Sequence, residues 1–168
     1  MTQQDKQIIA QSIQASIAEA KAAITLNPQK ASHWENLAGI YRGIIKTAED
    51  ADAWTISSYQ RAISLDPRNP SYRLSLGGVH YSLGNYESAI SFFEQAVNLK
   101  PDWSNAYYNL AWAAYNVKDY TKAIKAMEKV VSEGLPSRVK AGSTKLEDFA
   151  ISTPTAASSG RVSEKRLQ

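Results

Sequence analysis

SYRLSLGGVHYSLGNYESAISFFEQAVNLKP, residues 71–101, decides the fold of this chain, because a second stretch of the sequence repeats its pattern. Residues 105–136, NAYYNLAWAAYNVKDYTKAIKAMEKVVSEGLP, align with it at a shift of 34 residues. The residues that recur in register are Leu76 with Leu110, Gly77 with Ala111, Tyr86 with Tyr120 and Ala89 with Ala123. A period of this length indicates a protein built from stacked supersecondary units.

A longer copy of the unit precedes these two. Pro28 and Pro67 are 39 residues apart, whereas Pro67 and Pro101 are 34 apart. The first full unit therefore contains a five-residue insertion, which we place between its two halves, around residues 44–53. Further upstream, residues 17–28 match only the second half of a unit.

Apolar residues recur at helical spacing within these units. In the N-terminal segment they form one face of an amphipathic helix, made of Ile9, Ile13, Ile17, Ala20 and Ile24. Each later unit holds two such stretches, separated by a turn at Gly84-Asn85 or Lys118-Asp119. Asn85 and Asp119 are predicted to cap the helices that follow them. Small residues are predicted to let paired helices approach closely; they are Ala38, Gly77, Ala89, Ala111 and Ala123.

The units resemble tetratricopeptide repeats, in which W/Y-x-x-L-G/A, G/D-x-Y-x-x-A and A-x-x-L-x-P follow one another within 34 residues. The resemblance implies an all-α, right-handed superhelical solenoid of antiparallel helix pairs. It divides a domain spanning residues 1–150 into a leading helix over 5–27, which is half a repeat, and repeats over 31–69, 70–103 and 104–136. The first repeat departs from the family pattern at its insertion and at Thr55, where an alanine is expected.

The composition changes after Pro136. Residues 138–150 contain Val139, Leu146 and Phe149 and are predicted to form a helix that caps the last repeat. Residues 151–168 are rich in Ser, Thr and Ala, and we expect a disordered tail there.

The composition excludes several classes of protein. The absence of cysteine among 168 residues excludes a disulfide scaffold, a thiolate zinc site and a cysteine nucleophile. Of the two histidines, we assign His80 to a helix-packing position and His33 to the surface, and neither belongs to a metal-binding pattern. No stretch approaches the roughly 20 apolar residues that span a bilayer, and the N-terminus lacks the apolar run of a signal peptide. We therefore expect no enzyme, no cofactor or metal and no direct membrane insertion, and we favour a soluble, cytoplasmic protein.

The charge distribution argues against nucleic acid as a partner. The chain carries a net charge of +3, yet residues 31–136 contain ten basic and eleven acidic side chains. Residues 137–168 contain six basic and three acidic side chains, so the basic excess lies after the last repeat. Non-specific binding to nucleic acid requires cations that neutralise phosphates, and the repeats offer no excess of them.

The family resemblance also implies a concave groove, lined mainly by the first helix of each repeat. Carried over residue by residue, it assigns a peptide-binding set that we expect to be polar at one end and aromatic with asparagine at the other: Asn36, Arg42, Tyr81, Asn105, Tyr108, Asn109, Trp112, Tyr115 and Asn116. Asn36 and Asn109 share one repeat position and resemble an asparagine ladder that grips a peptide backbone. Relatives that clamp a chaperone C-terminus use Lys and Asn, then Asn, Lys and Arg, at positions that here hold Glu35, Gly39, Ser75, Asn105 and Asn109. None of these residues is a cation, so we do not expect that ligand.

The function indicated by the sequence is a non-enzymatic scaffold that binds a helix or peptide of a protein partner in the groove. Two alternatives stay open. One is a structural module that assembles with further copies of itself, so a homo-oligomer is an open state. The other is a soluble appendage of a larger bacterial protein similar to membrane-bound polysaccharide polymerases or ligases.

Overall fold

The computed structural model describes residues 2–134, and within them it contains seven α-helices and no strand. The helices are α1 (Gln3–Leu26), α2 (Ala31–Gly43), α3 (Ala51–Leu65), α4 (Pro70–Ser82), α5 (Tyr86–Leu99), α6 (Ser104–Asn116) and α7 (Tyr120–Ser132). The cap predicted over 138–150 and the tail over 151–168 lie outside the described residues. No helix of the described part has the length and apolarity that crossing a membrane requires.

The helices form three consecutive pairs, α2 with α3, α4 with α5 and α6 with α7. Each pair packs on the next through α3 against α4 and α5 against α6, while α1 packs on α2. The predicted all-α stack of helix pairs is confirmed.

Apolar packing is divided into three clusters of unequal size. The largest is continuous through α5, α6 and α7 and includes Phe93, Leu110 and Val130. A smaller cluster joins the first and second pairs around Tyr59 and Leu76. The third lies between α1, α2 and α3, where the half-buried Ile17, Ala20 and Ile24 of α1 contact Leu37, Tyr41 and Ala51.

The predicted small residues lie where paired helices meet. Ala38, Ala89, Ala111 and Ala123 are completely buried. Gly77 faces the ring of Phe93, and a Cβ atom at this position would lie 2.6 Å from Phe93 Cε1. A larger residue cannot enter this interface without moving the ring, because buried side chains are close-packed.

The turns within the pairs differ as the insertion predicts. Residues 44–50 join α2 to α3, and Asp50 at the end of this turn has a φ of 55°. The other two turns are three residues long and contain Gly84 at φ 80° and Lys118 at φ 64°. Asp119 caps α7, since its Oδ1 accepts a hydrogen bond from the Lys122 amide at 3.0 Å. The side chain of Asn85 makes no capping hydrogen bond, so that prediction was wrong.

Two of the junctions between repeats are held by a side chain that donates to the proline carbonyl preceding the repeat. Trp34 Nε1 donates to the carbonyl oxygen of Pro28 at 2.9 Å. Arg73, at the equivalent position of α4, donates from Nη1 to the carbonyl oxygen of Pro67 at 2.6 Å. These bonds fix the angle at which α2 and α4 leave the preceding turn.

Candidate functional site

A groove of about 780 Å³ lies between α1, α2 and α4. Its α1 wall contributes Ser16, Glu19, Ala20 and Ala23. The α2 wall contributes His33, Glu35, Asn36, Gly39, Ile40 and Arg42, and Tyr59 and Ser75 complete the lining. Residues three, four and seven apart lie on one face of a helix, which is why each of these sets lines the groove from its own helix.

The structure brings two of the predicted site residues, Asn36 and Arg42, into this groove. Both side chains are exposed. The Asn36 amide forms no hydrogen bond with any described residue, so its donor and acceptor both remain available to a ligand.

The other predicted end of the site is aromatic and is built by α4 and α6. Asn116 Nδ2 donates to Tyr81 Oη at 3.1 Å and to the carbonyl oxygen of Trp112 at 2.8 Å. The ring of Trp112 meets the Tyr115 ring edge-on, with centroids 5.8 Å apart. The structure therefore places Tyr81, Trp112, Tyr115 and Asn116 together.

The hydroxyl of Tyr81 is protonated at neutral pH. Burial raises the pKa of Tyr81 above its ordinary value, while the hydrogen bond from Asn116 acts in the opposite direction. A neutral tyrosine and an asparagine offer donors and acceptors without a net charge, which suits the recognition of a peptide backbone or a polar side chain.

Three predicted residues are used by the fold itself. Tyr108 is only 8% exposed, packs edge-on against Trp112 and belongs to the largest core cluster. Asn109 Nδ2 donates to the carbonyl oxygen of Asn105 at 2.6 Å and lies 3.4 Å from Asn105 Oδ1. The amide group of Asn109 therefore donates within its own helix. Of the two asparagines in the expected ladder, only Asn36 makes no side-chain hydrogen bond to a described residue.

The groove also contains residues that the sequence prediction did not include. Glu19 lies on α1, the leading half-repeat. The groove residues were predicted only from the first helix of each complete repeat, so α1 was not considered. The spacing of Ser16, Glu19, Ala20 and Ala23 was the available signal, because it marks one face of a helix. His33, assigned to the surface, is half-buried in this wall, and its Nδ1 has no hydrogen-bond partner among the described residues.

The charged side chains of the groove are not paired with one another. Among residues 2–134, one ion pair lies within 4.0 Å. It joins Lys122 Nζ to Glu94 Oε1 at 2.8 Å and lies outside this groove. Glu19, Glu35 and Arg42 therefore face the groove without an opposite charge in contact. The described residues contain no group of three or more His, Asp or Glu side chains that could hold a metal ion.

Stacked antiparallel helix pairs with a groove along one side define the class of α-solenoids built from helix-pair repeats. Residues 56–130 match the model of a family described as anaphase-promoting complex, cyclosome, subunit 3. No curated protein matches the sequence. Together with the repeat pattern and the solved structures described next, the family match supports a tetratricopeptide-repeat fold for this chain.

Solved structures share this fold at low sequence identity. A MamA crystal structure is 24% identical in sequence, with a TM-score of 0.64. The alignment covers 77% of this chain and 66% of the MamA chain, so this chain spans just under two thirds of the MamA length. A thermophilic tetratricopeptide-repeat protein of Thermus thermophilus is 20% identical with a TM-score of 0.65, covering 83% of this chain and 76% of its own. The first tetratricopeptide-repeat domain of Spaghetti (RPAP3), bound to the HSP90 peptide SRMEEVD, is 21% identical with a TM-score of 0.61, covering 74% of this chain and 95% of its own.

Proposed function

We propose that the chain is a non-enzymatic scaffold that captures a segment of a protein partner in its concave groove. The observation that carries this proposal is the open polar groove of about 780 Å³ between α1, α2 and α4. We propose that the aromatic residues on α4 and α6 extend this groove. Tyr and Trp provide large apolar area at low entropic cost, and such residues dominate binding energy at interfaces.

The solved neighbour that holds the peptide SRMEEVD supports peptide capture by a fold of this kind. Its acidic ligand is not the one that we propose here. Glu35 lies on the groove wall at the position where relatives that bind a C-terminal carboxylate have a lysine. A partner with an acidic C-terminal tail would therefore meet a carboxylate at this end of the groove.

The test compares binding of peptides by the wild-type chain and by Trp112→Ala. Peptides selected from a displayed random library on the wild-type chain should lose at least about tenfold in affinity for the variant, since a buried aromatic anchor contributes more than about 1.4 kcal/mol. Trp54→Ala is the matched control, because Trp54 is exposed on α3, outside the groove. Circular dichroism establishes that both variants remain helical; undiminished binding by Trp112→Ala would contradict the proposal.

Self-association is a second candidate function, favoured by one observation on α1. Ile8 is 54% and Ile9 47% exposed, and together with Ile13 and Ile40 they line a hollow of about 270 Å³. An apolar helix face of this kind suits a second copy of the chain. Sedimentation over micromolar concentrations tests it: a wild-type chain that remains monomeric contradicts self-association, and a dimer that Ile8→Gln with Ile9→Gln dissociates supports it.

A further inference from the structure

Two glycines of the first helices have no packing reason to be glycine. Gly39 in α2 and Gly78 in α4 occupy the same repeat position, and each lies inside a helix, where glycine is less favourable than alanine. A Cβ atom added to either one would meet nothing within 4 Å. The neighbouring Gly77 is different, because a Cβ atom there would collide with Phe93.

Gly39 lies in the groove lining, and helical spacing places Gly78 on the same side of α4 as the lining residue Ser75, which precedes it by one helical turn. At these two positions the helix backbone is bare toward the groove. A ligand can therefore approach the backbone of α2 and α4 more closely here than it could if either position carried a side chain.

The charge of the groove indicates what such a ligand carries. Glu19 is a lining residue of α1 and Glu35 a lining residue of α2, and neither has a cation within 4.0 Å among residues 2–134. Arg42 is the cation of the lining, and it lies seven residues beyond Glu35, about 10 Å along the helix axis. The end of the groove next to α1 is therefore negative and is complementary to a basic side chain.

From these observations we propose that the part of the groove between α1, α2 and α4 binds an extended peptide segment with a lysine or arginine side chain held between Glu19 and Glu35. The inference rests on the proposed function of peptide capture and deepens it. The main chain of the segment lies against the bare backbone at Gly39 and Gly78. An extended segment meets this requirement, whereas the backbone of a helix is enclosed by its own side chains within a cylinder about 10–12 Å wide.

The experiment selects peptides from a displayed library of random sequences on the wild-type chain, and then measures Kd for a synthetic peptide of the enriched group. We expect lysine or arginine to be enriched at one position. Glu19→Gln with Glu35→Gln should weaken this peptide about tenfold or more, and less so at high salt, because charge-assisted bonds are lost and salt screens the remainder. Glu87→Gln with Glu128→Gln is the control, since both residues are exposed on helices outside the groove.

The glycines are tested with the same peptide. Gly39→Ala with Gly78→Ala should raise Tm and yet weaken binding several-fold, a combination that loss of folding cannot produce. Ser88→Ala, exposed on α5, is the control and should leave Kd unchanged. Enriched peptides that lack a basic position and bind the glutamine variants equally well, while still depending on Trp112, would overturn this inference and leave the proposed function intact. A wild-type chain that enriches no peptide would overturn both.

Discussion

Asn116 and Tyr81 join two neighbouring repeats from the groove side, because the Asn116 amide at the end of α6 donates to the Tyr81 hydroxyl of α4 at 3.1 Å. This side-chain hydrogen bond links the first helices of two repeats. It holds the aromatic residues of α4 and α6 in one arrangement. If they bind a partner as proposed, such preorganisation reduces the entropy lost on binding.

Tyr81→Phe removes this hydrogen bond and keeps the ring. We expect the free energy of unfolding to fall by about 1 kcal/mol, the usual net contribution of one such bond. Chemical denaturation measures the change. Tyr86→Phe is the matched control, since Tyr86 touches the Tyr81 ring edge-on, at 5.3 Å between centroids, while its hydroxyl has no hydrogen-bond partner in the described chain. Equal losses in the two variants would show that the hydroxyl of Tyr81 contributes nothing specific.

The adjacent glycines of α4 should respond to alanine with opposite signs. Gly77→Ala places a methyl group against the Phe93 ring and should destabilise the chain by about 1–3 kcal/mol. Gly78→Ala meets open space and should stabilise it by about 0.8–1 kcal/mol through helix propensity alone. Thermal unfolding of the two variants under identical conditions provides the test, and a common sign would contradict the described orientation of α4.

His80 should make stability depend on pH. Burial lowers the pKa of His80 below its ordinary value of 6.5, and its ring stacks on Phe92 at 5.3 Å. As the pH falls through 6.5, His80 binds a proton in the unfolded chain but stays neutral in the folded chain. The free energy of unfolding is therefore highest above this pH. It decreases as the pH falls toward the lower pKa of the folded state.

The variant His80→Phe isolates this effect. It keeps the stacked ring and removes Nδ1, which is buried without a hydrogen-bond partner among the described residues. Between about pH 8 and pH 5, the wild-type Tm should fall further than that of the variant. Parallel curves would show that His80 does not titrate differently in the two states.

The exposed face of the last pair provides a test of the predicted cap over residues 138–150. Tyr107, Leu110 and Ala126 form the apolar part of a hollow of about 420 Å³ on α6 and α7, with Lys122, Lys125 and Lys129 around it. If the cap covers this face, deletion of residues 135–168 should cost about 1 kcal/mol of stability. Deletion of residues 151–168 is the control and should cost nothing measurable in thermal unfolding. Identical Tm values for the two truncated chains would contradict the cap.

The sequence predicted the fold well because the fold depends on periodic small and apolar residues. Ala38, Gly77 and Ala111 lie at the helix interfaces as their register predicts. The insertion lies in the turn before α3, since an extra segment is tolerated between helices and not within them. The backbone does not explain the missing cap at Asn85. Its backbone N–H donates to the His80 carbonyl at 2.9 Å, as that of Asp119 donates to the Ala114 carbonyl at 3.0 Å, and Asp119 does cap its helix.

The site was harder to predict because a repeat position specifies the face of a helix and not the depth of a side chain. Tyr108 and Trp112 are neighbours one turn apart, yet the tyrosine lies in the core and only the tryptophan is partly exposed. Asn109 was predicted from its position, while its hydrogen bond to Asn105 depends on a side-chain rotamer that the sequence does not reveal. Placing Glu19 in the groove requires the packing of α1 on α2, which is a tertiary contact.

The unequal division of the apolar core gives the solenoid two tiers of local stability. The large cluster makes α5, α6 and α7 one cooperative unit, whereas α1, α2 and α3 depend on smaller clusters and on single bonds such as Trp34 to Pro28. In native-state hydrogen exchange, the amides of α1 should open at low free energy and those of α6 only on global unfolding. In the proposed function, a partner would therefore contact one part of the solenoid that opens readily, next to α1, and one part that opens only on global unfolding, on α6.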